Sequence, residues 1–314
     1  MGSLPLYPSD IGDRGNELKS KGFVIHLRLR CPFRQGLSAV GRGGLTAMGN
    51  YFNLKEWKDM EGERKEIDKN VRISPKPTKE FLIRWMVDAL RRTMVHYGYW
   101  LKEVEYQYGM NVALEIEKEV GETSLTIQLR RFAKILNIEL KDGLPAALYR
   151  MDENQLEEML DALSLNWLAN DGVWFQAIEN KFGMFDAKRC NDTCWTRFSP
   201  YEAYRIKTLL GLPEQGGLEA LKTALQFRLY ARINKQDIVE EKTGSFVFRM
   251  IECRVQTSRQ LKGLENYPCK SGSIIEYRTF AETVDSRIQT ECIGCPPDPP
   301  QPGWHCAWRF SLPC

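Results

Sequence analysis

The chain repeats itself. The stretch HYGYWLKEVEYQYGMNVA, His96 to Ala113, aligns without a gap on NDGVWFQAIENKFGMFDA, Asn170 to Ala187, at an offset of 74 residues. Gly98/Gly172, Trp100/Trp174, Glu105/Glu179, Gly109/Gly183, Met110/Met184 and Ala113/Ala187 match, and the register runs on to Arg131/Arg205 and Leu136/Leu210. Two copies can bury on each other an apolar face that neither can bury alone. Each unit reads as about three helices. One precedes the Gly-x-Trp, one runs from the Trp through the aromatic-Gly-Met, and one ends in Leu-Leu or Ile-Leu. Two units are too few for a solenoid, so a helical domain with pseudo-two-fold symmetry is expected. Trp100 and Trp174 are expected as core anchors or as walls of a ligand pocket, and Glu105 and Glu179 as partners of Arg131 and Arg205.

The repeats divide the chain. Residues 1–77 form an N-terminal extension, with strand-like alternation in Gly22–Cys31 and a glycine-rich loop after it that lacks a phosphate-binding spacing. Residues 78–240 form the helical domain, with repeats at about 78–140 and 152–214 and a final amphipathic helix. Asp152 and Gln155 set a capping box, and Ser199-Pro200 with Glu202 looks like a second helix start. In residues 241–314, GSFVFRMIECRVQ alternates as a strand, SGSIIEYRTFAETV fits a helix, and RIQTECIG and HCAWRFSL read as two short strands joined by a proline-rich loop. The fold class is therefore α+β: a duplicated helical domain followed by a small cysteine-rich α+β domain.

Charge and hydropathy exclude two classes of partner. A net charge of +3 with no long basic run argues against nucleic acid. No apolar stretch of about 18 residues is present, so no membrane span is expected. The first residues lack the layout of a signal peptide, which places the nine cysteines in a reducing cytoplasm. There, clustered cysteines point to metal or thiol chemistry rather than to disulfides.

Six cysteines crowd the last domain: Cys253, Cys269, Cys292, Cys295, Cys306 and Cys314. Strand ends and a tight loop are where a four-thiolate zinc site is built, and Cys292-x-x-Cys295 makes a half-site. The metal ligands expected are Cys253, Cys269, Cys292 and Cys306, with Cys295 as the alternate. An iron–sulfur cluster takes the same ligands. A catalytic thiol and inert burial remain open beside the metal. Arg254 and Arg259 could hold an anionic ligand by bidentate pairing. Trp100, Trp174 and Trp308 could line a pocket between the domains. If the chain is an enzyme, Glu291 and His305 are the acid–base candidates. Cys190 and Cys194, four residues apart, form a second, weaker pair.

The pattern Cys253…Cys269…Thr-Glu-Cys…Cys306-x-Trp-x-Phe resembles the end of the small-molecule-binding 4-vinyl reductase domain. The resemblance implies a zinc held by three cysteines and an acidic residue beside a ligand pocket. Carried onto this sequence, it implies Cys269, Cys292 and Cys306 as ligands, with Cys253 or Glu252 fourth. From Thr78 onward the chain also resembles an uncharacterised family sharing the DGVWF…FGM unit and the cysteine-rich tail. A more distant likeness, to L-2-amino-thiazoline-4-carboxylic acid hydrolase, implies ring opening of a small sulfur- and nitrogen-containing heterocycle. The expectation is a zinc protein that binds a small organic molecule. The alternatives are a hydrolase or metal-dependent lyase, and an iron–sulfur redox protein. A homo-oligomer is admitted as a further partner.

Overall fold

A computed structural model describes residues 77–241, 244–299 and 301–313. The strand expected in Gly22–Cys31 and the glycine-rich loop lie outside the described residues. The duplication appears as two helix pairs of matching length. Helices α1 (Lys79–Tyr108) and α3 (Glu153–Phe182) have 30 residues each, and α2 (Met110–Leu136) and α4 (Met184–Leu210) have 27. Gly109 and Gly183 join the members of each pair with φ of 86° and 88°, a backbone region that strains any residue bearing a Cβ. Each pair ends on a left-handed residue, Asn137 or Gly211. Thr78 caps α1, and Asp152 with Gln155 makes the expected capping box on α3.

Each unit thus has two helices, where three were expected. Gly98 and Gly172 sit inside α1 and α3, since one interior glycine costs about 1 kcal/mol and does not end a long helix. The Ser199-Pro200 signal is also interior to α4. Ser199 is buried, and its hydroxyl donates to the Glu276 carbonyl at 2.5 Å instead of capping a helix. The φ of proline suits a helix, and its ring costs α4 one backbone hydrogen bond.

A short hairpin, β1 (Leu140–Lys141) and β2 (Leu144–Pro145), links the pairs through Asp142 and Gly143, both at positive φ. The final amphipathic stretch divides at Phe227 into α5 (Gly217–Gln226) and α6 (Leu229–Ile233). Then come β3 (Lys235–Glu240), β4 (Ser245–Glu252), α7 (Arg254–Leu261), α8 (Lys270–Val284), β5 (Gln289–Gly294) and β6 (Cys306–Ser311). The sheet order is β3-β4-β6-β5, antiparallel throughout.

The core lies where α4, α5 and α8 meet the sheet. Phe246, Phe248 and Met250 of β4 pair in register with Phe310, Trp308 and Cys306 of β6. They pack on Tyr277, Phe280 and Val284 of α8, Leu221 and Leu225 of α5, and Ile206 of α4. Each large apolar side chain buried there contributes about 1.5–3 kcal/mol. The second helix pair and the sheet therefore share one core, and Thr78–Cys314 forms one compact unit. Among the described residues, no helix is long and apolar enough to cross a membrane.

Candidate functional site

Four cysteines converge between α4, α7, α8 and β6. Cys253 caps the N-terminus of α7, Cys269 stands at the N-cap of α8, and Cys306 opens β6. Cys295 follows β5 and is buried. The Cys295 thiol is hydrogen-bonded to those of Cys269 and Cys306, and Cys253 is close enough to feel both Cys269 and Cys306.

Polar staples hold these elements in place. Lys270 Nζ binds both Asp298 carboxylate oxygens at 2.8 Å, while the Cys295 N–H donates to Asp298 at 3.2 Å. The Lys270 N–H also donates to the Pro296 carbonyl at 2.8 Å, tying the proline loop to the first turn of α8. Gln256 of α7 grips the segment before α8. Its amide donates to the Tyr267 carbonyl at 2.8 Å and to the Cys269 sulfur at 3.2 Å, and its oxygen accepts from the Tyr267 N–H at 3.0 Å.

Electrostatics differ around the set. Hydrogen bonding from Cys295 holds the Cys269 thiol below its ordinary range, against the cost of burial and with help from Lys188 and Gln256. Burial pushes Cys253 up to about 12, although the Gln256 and Val255 N–H groups point at its sulfur and work the other way. Hydrogen bonds with Cys269 and Cys306 push Cys295 far up. Cys292 lies opposite Trp308 on the same sheet face as Cys306, interacts with Lys270, Asp298 and Cys306, and has its thiol raised by burial. Among the described residues, no group of three or more His, Cys, Asp or Glu side chains is placed where it could hold a metal ion, so a metal at these thiols requires their side chains to close in.

The thiols border a cavity of about 540 Å³ between the second helix pair and the α+β part, with Cys253, Cys269 and Cys306 in its wall. Aromatic rings make much of the rest: Phe175, Trp195, Tyr230, Tyr267 and Tyr277. Trp195 stacks on Tyr230 at 5.9 Å, and Phe175 meets Tyr267 edge-on at 5.0 Å. Asp171, Asn191 and Tyr267 form a polar chain along the wall. The Asn191 amide donates to Asp171 at 3.1 Å and accepts from the Tyr267 hydroxyl at 2.6 Å. Burial raises Asp171 above the usual carboxylate range, with Asn191 and Lys188 pulling the other way.

A buried ion network backs the cavity. Arg228, 2% exposed, donates to Glu202 at 2.9 Å and to Glu276 at 2.6 Å. Burial works against its charge, and the two carboxylates more than offset it. Burial also raises Glu276, with Arg228 opposing. Lys188 pairs with Asp192 over Gly272 of α8, where a Cβ would fall 2.6 Å from the Asp192 carboxylate. That close approach requires the glycine.

The other expected site residues lie elsewhere or are already paired. Trp100 and Trp174 are 62% and 66% exposed, and neither borders the cavity. Trp308 is buried in the core, stacked on Tyr277 at 4.7 Å, and its indole N–H has no partner among the described residues. Arg259 borders the cavity, but its guanidinium is spent on a bidentate pair with Glu179 at 2.9 and 3.0 Å and on the Glu265 carbonyl. Glu105 likewise pairs with Arg197 at 2.7 Å. The two glutamates thus join elements as expected, through Arg197 and Arg259 rather than Arg131 and Arg205. Arg254 borders the cavity with an exposed side chain. Glu291 is exposed and paired with Arg309 at 2.6 Å, and the His305 N–H donates to the Met250 carbonyl. Cys190 and Cys194 are free and exposed. Asp171, Asn191, Tyr230, Tyr267 and Gln256 are the site residues that the sequence reading missed.

A family model described as a family of unknown function, DUF6125, matches the chain twice, over residues 76–152 and 149–312. The break between the two matches falls at the junction of the helix pairs. No curated protein and no solved structure matches the chain.

Proposed function

The chain belongs to the DUF6125 family, and from that premise we propose that it binds a small organic molecule beside a zinc ion held by Cys253, Cys269, Cys295 and Cys306. The observation that carries the reading is the hydrogen-bonded contact of Cys295 with both Cys269 and Cys306 at the edge of a 540 Å³ cavity. Four thiolates are a donor set that suits zinc, and the metal takes the place of the thiol protons. N–H groups aimed at the sulfurs of Cys253 and Cys269 are the supporting contacts that such a centre uses. A cavity of this volume suits a drug-sized molecule, and its aromatic walls with a few polar groups match small-molecule sites in general. When bound, the zinc fixes the wall and supplies positive charge against the four sulfurs. The chain's own part is to enclose the ligand and exclude water. Cys295 replaces Cys292 in the expected ligand set, because only Cys295 touches Cys269 and Cys306.

Metal analysis of the full chain purified without added metal tests the reading. About one equivalent of zinc is expected, retained in Cys292→Ser and lost in Cys295→Ser. Chain isolated anaerobically with no metal overturns the zinc, and equal loss in both variants overturns the ligand set. Iron with sulfide in place of zinc assigns the same thiols to a cluster.

A further inference from the structure

Resting on the cavity reading above, we infer that the ligand is an organic cation, a protonated amine carried on an aromatic or apolar body, whose ammonium group meets Asp171. The inference begins with the duplication. Tyr97 and Glu117 of the first helix pair occupy the positions of Asp171 and Asn191 in the second, 74 residues on. In both pairs these side chains bridge the two helices, with the roles of donor and acceptor exchanged. Tyr97 and Tyr201 donate their hydroxyls to one oxygen of Glu117 at 2.9 and 3.0 Å. The first copy is therefore a carboxylate with two phenols on one oxygen, its other oxygen buried without a partner among the described residues.

The second copy is open. The Asp171 carboxylate borders the cavity, and among the described residues Asn191 is the one hydrogen-bond donor to it. A neighbouring phenol, Tyr267, spends its hydroxyl on Asn191. Asp171 thus keeps acceptor capacity toward the cavity, where the first copy has a phenol to fill it. A half-buried carboxylate left in that state is stabilised when a further donor arrives.

The sign of the missing donor follows from the charges around the cavity. The groups in and directly behind the inner wall are five carboxylates, Asp171, Asp192, Glu179, Glu202 and Glu276, against three cations, Lys188, Arg228 and Arg259. Arg228 serves both Glu202 and Glu276, Arg259 serves Glu179, and Lys188 serves Asp192. Lys188 acts on Asp171 from a distance, but among the described residues the fifth carboxylate has no salt-bridge partner of its own. Two further cations, Arg254 and Lys262, border the cavity with exposed side chains, where solvent screens them. Burial raises both Asp171 and Glu276 above the usual carboxylate range. Rings beside Asp171, among them Trp195, Tyr230 and Tyr267, offer faces that favour a cation over an anion.

Three probes of one shape and different charge test the inference on the full chain as isolated: 2-phenylethylamine, 2-phenylethanol and phenylacetate, each titrated calorimetrically at pH 7. The amine is expected to bind at least tenfold more tightly than either other probe. Asp171→Asn removes that preference, whereas Asp186→Asn, outside the cavity, keeps it. Binding of the alcohol or the acid as tightly as the amine overturns the cation and leaves the cavity reading standing. Absence of binding by all three overturns the cavity reading and the inference with it. The preference is read first on the unaltered chain, so the test does not depend on how Asp171→Asn folds.

Discussion

The two helix pairs share a backbone plan and differ in what surrounds them. Their helices match in length, and each pair bends at a glycine of nearly the same φ. Yet α1 has no buried residue, and Phe81, Trp85, Met86 and Met94 stand exposed along it, while α4 buries nine residues. The second pair has the sheet and α8 to pack against. The position of Trp195 makes the contrast local. Trp195 is 6% exposed, among Trp167, Phe198 and Tyr230, and Gly121 occupies the same position in the first pair. A Cβ on Gly121 would fall 3.0 Å from both the Glu117 carboxylate and the Tyr97 hydroxyl, so the glycine leaves room for the polar closure. One duplicated plan became a closed strut in one copy and a cavity wall in the other. Among the side chains that differ between the copies are those facing the bridge between helices.

The largest effect expected from this contrast is at Trp195. Trp195→Ala empties an aromatic cluster and costs about 3–5 kcal/mol, read by urea unfolding. A cost below about 1 kcal/mol would show that the cluster is not a hub. Next comes Glu117→Ala, which strands two phenol hydroxyls in the first pair. A loss of about 1–3 kcal/mol is expected, and no loss would mean that the closure does not stabilise the strut.

The closure also carries a pH signature. Burial, with the charge and hydrogen bond of Glu117, pushes Tyr201 up to about 12, from an ordinary value of 10.0. The neutral phenol contributes stability that is fully present below pH 10 and is lost as pH climbs from 10 toward about 12. Tyr201→Phe flattens that alkaline decline, and an unchanged decline would place its origin elsewhere. The smallest effects belong to the paired tryptophans. Trp100→Ala and Trp174→Ala should each shift stability by no more than about 0.5 kcal/mol, as exposed side chains do. A loss of several kcal/mol at either would mean that the pair is covered in solution.

Much of this was legible in the sequence because duplication and alternation are periodic signals. The duplication, β4, α8 and the β5–β6 pair follow from spacing, whereas the two-helix make-up of each unit does not. The signals that misled were local: a glycine inside a helix and a Ser-Pro pair read as helix boundaries, and packing overrode both. Strand β3 was missed because KQDIVE is a polar edge, and α7 because RVQTSRQL has little apolar periodicity.

In the site, the crowding of thiols was legible, and the choice between Cys292 and Cys295 was not. Cys292 and Cys295 both come near Cys306, one from the inner face of β5 and one from the turn after it, and spacing does not tell them apart. The pairing of Arg259 with Glu179 spans 80 residues and was equally hidden. Asp171 could have been found. It replaces Tyr97 in an otherwise matching register, and a carboxylate in place of an aromatic residue between paired helices marks the copy that opened.

X-ray absorption at the zinc edge of the purified full chain tests the thiol-walled cavity most directly. Four sulfur neighbours at about 2.3 Å are expected, unchanged in Cys292→Ser. A first shell of nitrogen or oxygen at about 2.0 Å would contradict the assignment of Cys253, Cys269, Cys295 and Cys306.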